Sequence, residues 1–199
     1  MKKLINLILL TSLLLGLPLK AAQIEDVATS VFDRVVASLM HLKQQGKLEH
    51  QALLAMVNQD ILPFVDTRYF AYKVLGKHLE KLSKEQREEF VQLLTDSLMN
   101  NYAHSLKGYD NEQLELSNVT MAPSKKTSQV SMKLNGKGKN TNLTTKWRFS
   151  EQSRQWLMYD LIVEGVSLLQ TKQKEMASLI AAHGPDAVIS KLKAKAEKV

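Results

Sequence analysis

The residues best equipped for chemistry in this sequence crowd into one stretch, Tyr159-Asp160-Leu161-Ile162-Val163-Glu164-Gly165-Val166-Ser167-Leu168-Leu169, which begins like a strand and ends like a helix. A serine on a strand-to-helix turn is the layout of a hydrolase nucleophile, but Gly165-Val166-Ser167-Leu168-Leu169 lacks the second glycine of that turn. A serine nucleophile also needs a histidine to take its proton. His41, His50, His78, His104 and His183 all fall outside the predicted strands. Asp160 and Glu164, four apart across a strand end, therefore read as a hydrogen-bonding brace and a helix-start carboxylate, not as an acid and base pair.

Other chemistries find less support. No two of the five histidines have the i, i+4 spacing of a helical zinc site, so no metal ligands are assigned. Asn135-Gly136-Lys137-Gly138-Lys139-Asn140 contains G-x-G but lies between two strand patterns, where it reads as a hairpin turn and not a phosphate loop. Asn118-Val119-Thr120 and Asn142-Leu143-Thr144 match the glycosylation sequon yet fall within predicted strands. Cysteine is absent, which removes thiolate chemistry and disulfides together. No cofactor is expected and the chain is not read as an enzyme.

The first 22 residues have the form of a secretory leader: Lys2 and Lys3, a mainly apolar run from Leu4 to Leu17, then Pro18 and the small residues Ala21 and Ala22. The run is shorter than the ~20 residues of a membrane-spanning helix. Residues 23–199 are then expected to form one exported domain, large enough to bury about 70% of its unfolded surface. An exported chain without disulfides suits a Gram-negative periplasm. The formal charge of +7 falls to +4 when Lys2, Lys3 and Lys20 leave with the leader. The basic runs from Lys125 to Lys146 and Lys191 to Lys198 read as solvated faces. Nucleic acid is excluded as a partner, and a monomer is expected.

The elements that must carry these residues follow from periodicity. Ile24, Val27, Ala28, Val31, Val35, Leu39 and Leu42 recur at the three-and-four spacing of a one-sided helix. A second helix is predicted over 49–58, and a third over 66–79, with Asp66 or Thr67 as cap and Gly76 near its end. Ser83-Lys84-Glu85-Gln86 is a capping box opening the longest helix, which ends near Gly108. The period then changes from 3.6 to 2 over four segments, 113–122, 128–136, 141–149 and 155–163, which reads as a four-stranded antiparallel meander. Helix returns over 167–182, and Pro185 is expected to open a last helix with Ala187, Val188, Leu192 and Ala196 inward. Helices, sheet, helices is an α+β order, with helices packed on one face of a curved four-stranded antiparallel sheet and an apolar pocket enclosed between them.

The sheet is rich in apolar residues, and simple alternation along its last strand puts Trp156, Met158 and Ile162 on one face, and Leu157, Tyr159, Leu161 and Val163 on the other. Apolar on both faces, such a strand is either covered on both sides or lines a cavity, so an ordinary core and a hydrophobic ligand site both remain open.

Three stretches carry a resemblance that bears on this choice: Ile61 to Phe90 with Leu62-Pro63-Phe64-Val65-Asp66 and Val74-Leu75-Gly76, then Leu98 to Tyr109, and Trp156 to Ile180 with Tyr159-Asp160 and Glu164-Gly165-Val166-Ser167. In this order, over nearly the whole mature chain, the sequence resembles the MlaC/Ttg2 (toluene-tolerance) family of periplasmic phospholipid-binding proteins. The resemblance implies a carrier that holds a diacyl phospholipid with its acyl chains in an apolar pocket. It implies transfer between an outer-membrane lipoprotein complex and an inner-membrane ABC transporter with a hexameric MCE-domain subunit, maintaining outer-membrane lipid asymmetry without covalent chemistry.

A carrier of this kind needs shelter more than specific bonds. Exposing two chains of about 15 methylenes would cost roughly 24 kcal/mol, at ~0.8 kcal/mol each. On this reading the Glu164-Gly165 turn is a hinge, with Glu164 or Ser167 capping the following helix and Gly165 supplying a backbone angle that other residues resist. Val166 and Leu169 are then expected to face the acyl chains, joined by Leu143, Trp147 and Ile162 from the sheet and Tyr69, Leu94, Leu98 and Tyr102 from the helices. A chaperone or adaptor that binds apolar protein segments, and an enzyme with Asp160 as a buried acid, are the competing readings.

Overall fold

The computed structural model describes residues 19–196 except Lys125 and Lys137, so the predicted leader lies almost wholly outside the described residues. Six helices and five strands follow in the order α1 (Leu19–Gln44), α2 (His50–Asp60), α3 (Thr67–Leu75), α4 (Lys84–Ser105), β1 (Gln113–Met121), β2 (Thr127–Gly136), β3 (Lys139–Ser150), β4 (Gln155–Val163), β5 (Val166–Ser167), α5 (Leu168–His183) and α6 (Ala187–Ala196).

Local chemistry sets the boundaries. Asp66 caps α3 by accepting from the Tyr69 amide at 3.0 Å. In the capping box at α4, the Gln86 amide donates to Ser83 Oγ at 3.2 Å and the Ser83 amide to Gln86 Oε1 at 2.8 Å. The predicted third helix ends earlier than its pattern suggested, because Gly76 takes a φ of 52° and the chain tightens into 3-10 geometry over Gly76–Lys81. Pro185 stands before α6 and does not open it, since the helix begins at Ala187.

The sheet is open and antiparallel in the order β1-β2-β3-β4-β5. It has five strands where alternation predicted four: after Val163 the chain reverses at once and adds Val166 and Ser167 opposite Val163 and Ile162. Two irregularities decide which residues share a face. In β1 the register shifts between Leu116 and Asn118, leaving Ser117 unpaired, so Leu114 and Leu116 stay on the same face as Val119 and Met121. In β4, Trp147 pairs with Met158 while Lys146 pairs with Asp160, so Tyr159 is the extra residue. This corrects the simple alternation: Leu161 and Val163 join Trp156 and Met158 on one face, and Ile162 joins Asp160 on the other.

The core has two parts. Ile24, Ala28 and Val31 of α1 pack on the apolar sheet face against Val130, Met132, Trp147 and Trp156. The second half of α1, from Leu39, joins α2 to α6 in a purely helical core around Phe90, Leu94, Met99 and Met176. The helices do not share one sheet face. α1 covers the face of Val130 and Trp147, whereas the start of α5 is held by Asp160 from the opposite face. Val65 forms a parallel bridge with Met158, and the Asp66 amide donates to the Met158 carbonyl at 2.8 Å. Arg148 reaches from β3 to the Asp66 carboxylate, so the cap of α3 is fixed to the sheet by main chain and side chain together.

Candidate functional site

Asp160 is buried, and its two carboxylate oxygens divide their work. Oδ2 accepts from Ser167 Oγ at 2.7 Å, and Oδ1 accepts from the Leu169 amide at 3.0 Å. Ser167 Oγ in turn accepts from the Gln170 amide at 3.1 Å and is the cap of α5. The Lys146 ammonium, 3.8 Å from Asp160 Oδ2, supplies the countercharge. The hydroxyl donates to a carboxylate and accepts from a backbone amide, both at the start of the helix, and among the described residues no histidine is bonded to that carboxylate. This is a brace. Asp160 is thus the brace expected of it, whereas the expected helix-start role of Glu164 is not seen: Ser167 caps α5 and Glu164 bonds to β3.

Burial and this carboxylate together shape the nearby phenols. Desolvation, and then the Asp160 charge, push the Tyr102 phenol well above its ordinary range. Tyr159 is raised by desolvation, then by Tyr69 and Asp160. Both side chains present neutral rings at physiological pH. Tyr159 meets Tyr69 edge to face with centroids 5.3 Å apart, and the Arg148 guanidinium lies 4.5 Å from the Tyr69 centroid.

Glu164 does different work. It and Gly165 take φ values of 48° and 80°, the positive-φ pair that a two-residue hairpin requires, and glutamate is an unusual occupant of the first position. Its carboxylate accepts from the Asn142 amide, and its own amide donates to the Asn142 carbonyl at 2.9 Å, which ties the turn to β3. At Gly165 a Cβ would meet nothing within 4 Å, so the constraint is backbone conformation alone. Gly165→Ala is expected to cost about 1–2 kcal/mol, read as a lowered thermal midpoint with an unchanged far-ultraviolet spectrum.

The residues expected to face acyl chains do not converge on one wall. Trp147 is fully buried in the sheet core and donates through its indole nitrogen to Thr145 Oγ1 at 2.8 Å, with half-buried Leu143 beside that core. Leu94 and Leu98 lie inside the helical core, and Tyr102 and Leu169 pack against it. Tyr69 and Ile162 are half-buried in neither core, and Val166 is 64% exposed at the hairpin tip.

A cleft of about 420 Å³ opens instead between α1 and the first two strands, lined by Phe32, Val36 and Met40 on one side and Leu114, Leu116 and Met132 on the other. Thr29, Asp33 and Gln113 supply its polar contacts. None of its lining residues is among the acyl-chain contacts expected from the sequence, although Leu114, Leu116 and Met132 belong to the apolar surplus of the sheet. The signal was present: Phe32, Val36 and Met40 recur every four residues as a second apolar stripe on α1, beside the buried stripe of Ile24, Ala28, Val31 and Leu39. Met40 is 44% exposed, more than a helix covered only by its own core requires. Among the described residues there is no cluster of histidine, aspartate and glutamate suited to a metal, and no helix long and apolar enough to cross a membrane.

Comparison with known proteins agrees with this architecture. A curated relative from Haemophilus influenzae, the intermembrane phospholipid transport system binding protein MlaC, is 27% identical over 87% of this chain and 80% of its own length. The toluene tolerance protein ttg2D of Pseudomonas putida is 24% identical over 81% of this chain and 74% of its own. A solved phospholipid-binding protein from Ralstonia solanacearum, in complex with a phospholipid, matches with a TM-score of 0.78 over 90% of this chain and 97% of that one, and at 19% identity this shows a shared fold. The model of the MlaC protein family matches residues 29–194, and the chain belongs to that family.

Proposed function

We propose that this protein is a periplasmic phospholipid carrier that moves lipid between an outer-membrane lipoprotein complex and an inner-membrane ABC transporter bearing a hexameric MCE-domain ring, and so maintains outer-membrane lipid asymmetry. The observation that carries the proposal is the apolar sheet face left half-covered by α1, which with the second stripe of α1 makes the 420 Å³ cleft. Its size lies within the range of ligand pockets, about 300–1,000 Å³. The names of the relatives, a phospholipid transport binding protein and a phospholipid-bound structure, support the same cargo. The brace at Asp160 and Ser167 supports carriage over catalysis, because its polar groups are consumed in holding α5.

The acyl chains enter between α1 and the sheet, and the polar residues at the cleft remain near the headgroup. Native mass spectrometry of the mature protein, purified without detergent and followed by lipid extraction, tests this reading. A stoichiometric diacyl phospholipid is the expected result. A lipid-free protein that also refuses lipid from vesicles overturns it in favour of a binder of apolar protein segments.

Val166 remains the proposed contact at the hairpin tip. Its exposure means that Val166→Glu should change stability by no more than about 0.5 kcal/mol, while lipid retention falls. A variant that carries the normal complement of lipid would remove the hairpin from the tail path.

A further inference from the structure

We propose that the α1 cleft favours phospholipids whose headgroup carries an ammonium group over those with a purely anionic headgroup, and that Asp33 sets this preference. The inference rests on the carrier reading above and concerns the same cleft.

Among the described residues Asp33 is the charged side chain on the cleft wall; the others lining it are apolar, alanine, threonine or glutamine. It is exposed, and among the described residues no ion pair or hydrogen bond neutralises it. The basic side chains of α1 that follow it are engaged elsewhere. Arg34 lines the groove on the α2 side and lies 5.4 Å from the Phe64 centroid, and Lys43 bonds to Asp110 at 2.6 Å. One helical turn before Asp33, Thr29 presents a hydroxyl to the cleft, and Asp26, two turns before, adds a second carboxylate on the same flank.

A phospholipid seated with its tails between Phe32, Val36, Leu114 and Leu116 would hold its headgroup within the field of this carboxylate. An ammonium gains a partner there. A headgroup bearing only the phosphate charge meets like charge, and among the described residues no lysine or arginine lines the cleft to offset it. For one exposed pair the discrimination is modest, about two- to five-fold, and it is screened by salt.

The test loads the mature chain from vesicles of equal parts phosphatidylethanolamine and phosphatidylglycerol, isolates it by detergent-free gel filtration and quantifies both lipids after extraction. Wild type should be enriched about two- to five-fold in the ethanolamine lipid at low ionic strength and less so in 0.5 M salt. Asp33→Asn should bring the ratio to that of the vesicles, and Asp33→Lys should invert it. A wild-type ratio equal to that of the vesicles, or an Asp33→Lys variant with an unaltered ratio, overturns the preference while leaving carriage intact. Failure of wild type to load either lipid overturns both.

Discussion

A mature chain carrying Leu116→Glu is expected to fold and to lose lipid uptake by about 100-fold. Leu116 is half-buried on the sheet face and forms one wall of the cleft opposite Phe32 and Val36. In the empty protein a glutamate there keeps much of its water, so the folding cost is limited to lost apolar burial, on the order of 1 kcal/mol. Once acyl chains fill the cleft the same carboxylate must be stripped of water or protonated against hydrocarbon. That penalty is several kcal/mol, and about 3 kcal/mol already weakens binding 100-fold. Leu116→Met, which conserves volume and polarity, should leave uptake near normal. The measurement is lipid per protein after vesicle loading, paired with thermal unfolding of the lipid-free form. Normal loading of a folded Leu116→Glu protein would place the tails elsewhere, and the half-buried Tyr69 and Ile162, which belong to neither core, would become the wall to test next.

Most of the helices were legible because each is written twice, in apolar spacing and in its ends. α4 has both its stripe and its Ser83 to Gln86 capping box, and α3 has Asp66 before it. The strands were legible as strands, since period-2 segments are separated by turn residues. Their faces were less so, because a bulge changes the parity of everything beyond it and leaves no local mark. Val119 and Met121 have the opposite parity to Leu114 and Leu116 in sequence, yet the unpaired Ser117 puts all four on one face. Tyr159 does the same in β4, which is why Ile162 was placed beside Trp156 and in fact lies beside Asp160.

The candidate site is less legible than the fold. A surplus of apolar residues without catalytic partners fits an ordinary core as well as a hydrophobic ligand site, and choosing contacts by position in each pattern selects well-buried side chains, such as Leu94 and Trp147, which the structure places in the two cores. A cavity is lined by residues left half-covered, and partial cover is a product of tertiary packing: α1 must first be laid across the sheet before Phe32, Val36 and Leu116 face one another. The clue available earlier was the width of the apolar surface on α1, two stripes where one core needs one.

Replacing Asp160 with alanine should lower the thermal midpoint by about 6–12 °C without touching any reaction. The change removes the acceptor of Ser167 Oγ and of the Leu169 amide inside a buried environment, and leaves the Lys146 ammonium without its counterion. Unsatisfied buried donors and a broken partly buried pair together cost about 3 kcal/mol, and a domain of this size loses roughly 2–4 °C per kcal/mol. Asp160→Asn keeps an oxygen for the Leu169 amide and should lose less. Ser167→Ala, which removes the cap of α5, should cost about 1 kcal/mol. Because Ser167 and Asp160 share one bond, the double variant should be less destabilised than the two single effects combined. This non-additivity identifies a brace: an acid acting in catalysis would instead leave the midpoint of Asp160→Asn near that of wild type and abolish a turnover. The brace also connects stability to cargo, since it joins β4 to the first turn of α5, beside the hairpin that presents Val166. Loss of the brace should therefore raise the rate of lipid loss from loaded protein in step with the fall in midpoint, whereas Leu116→Glu should change uptake with the midpoint nearly fixed.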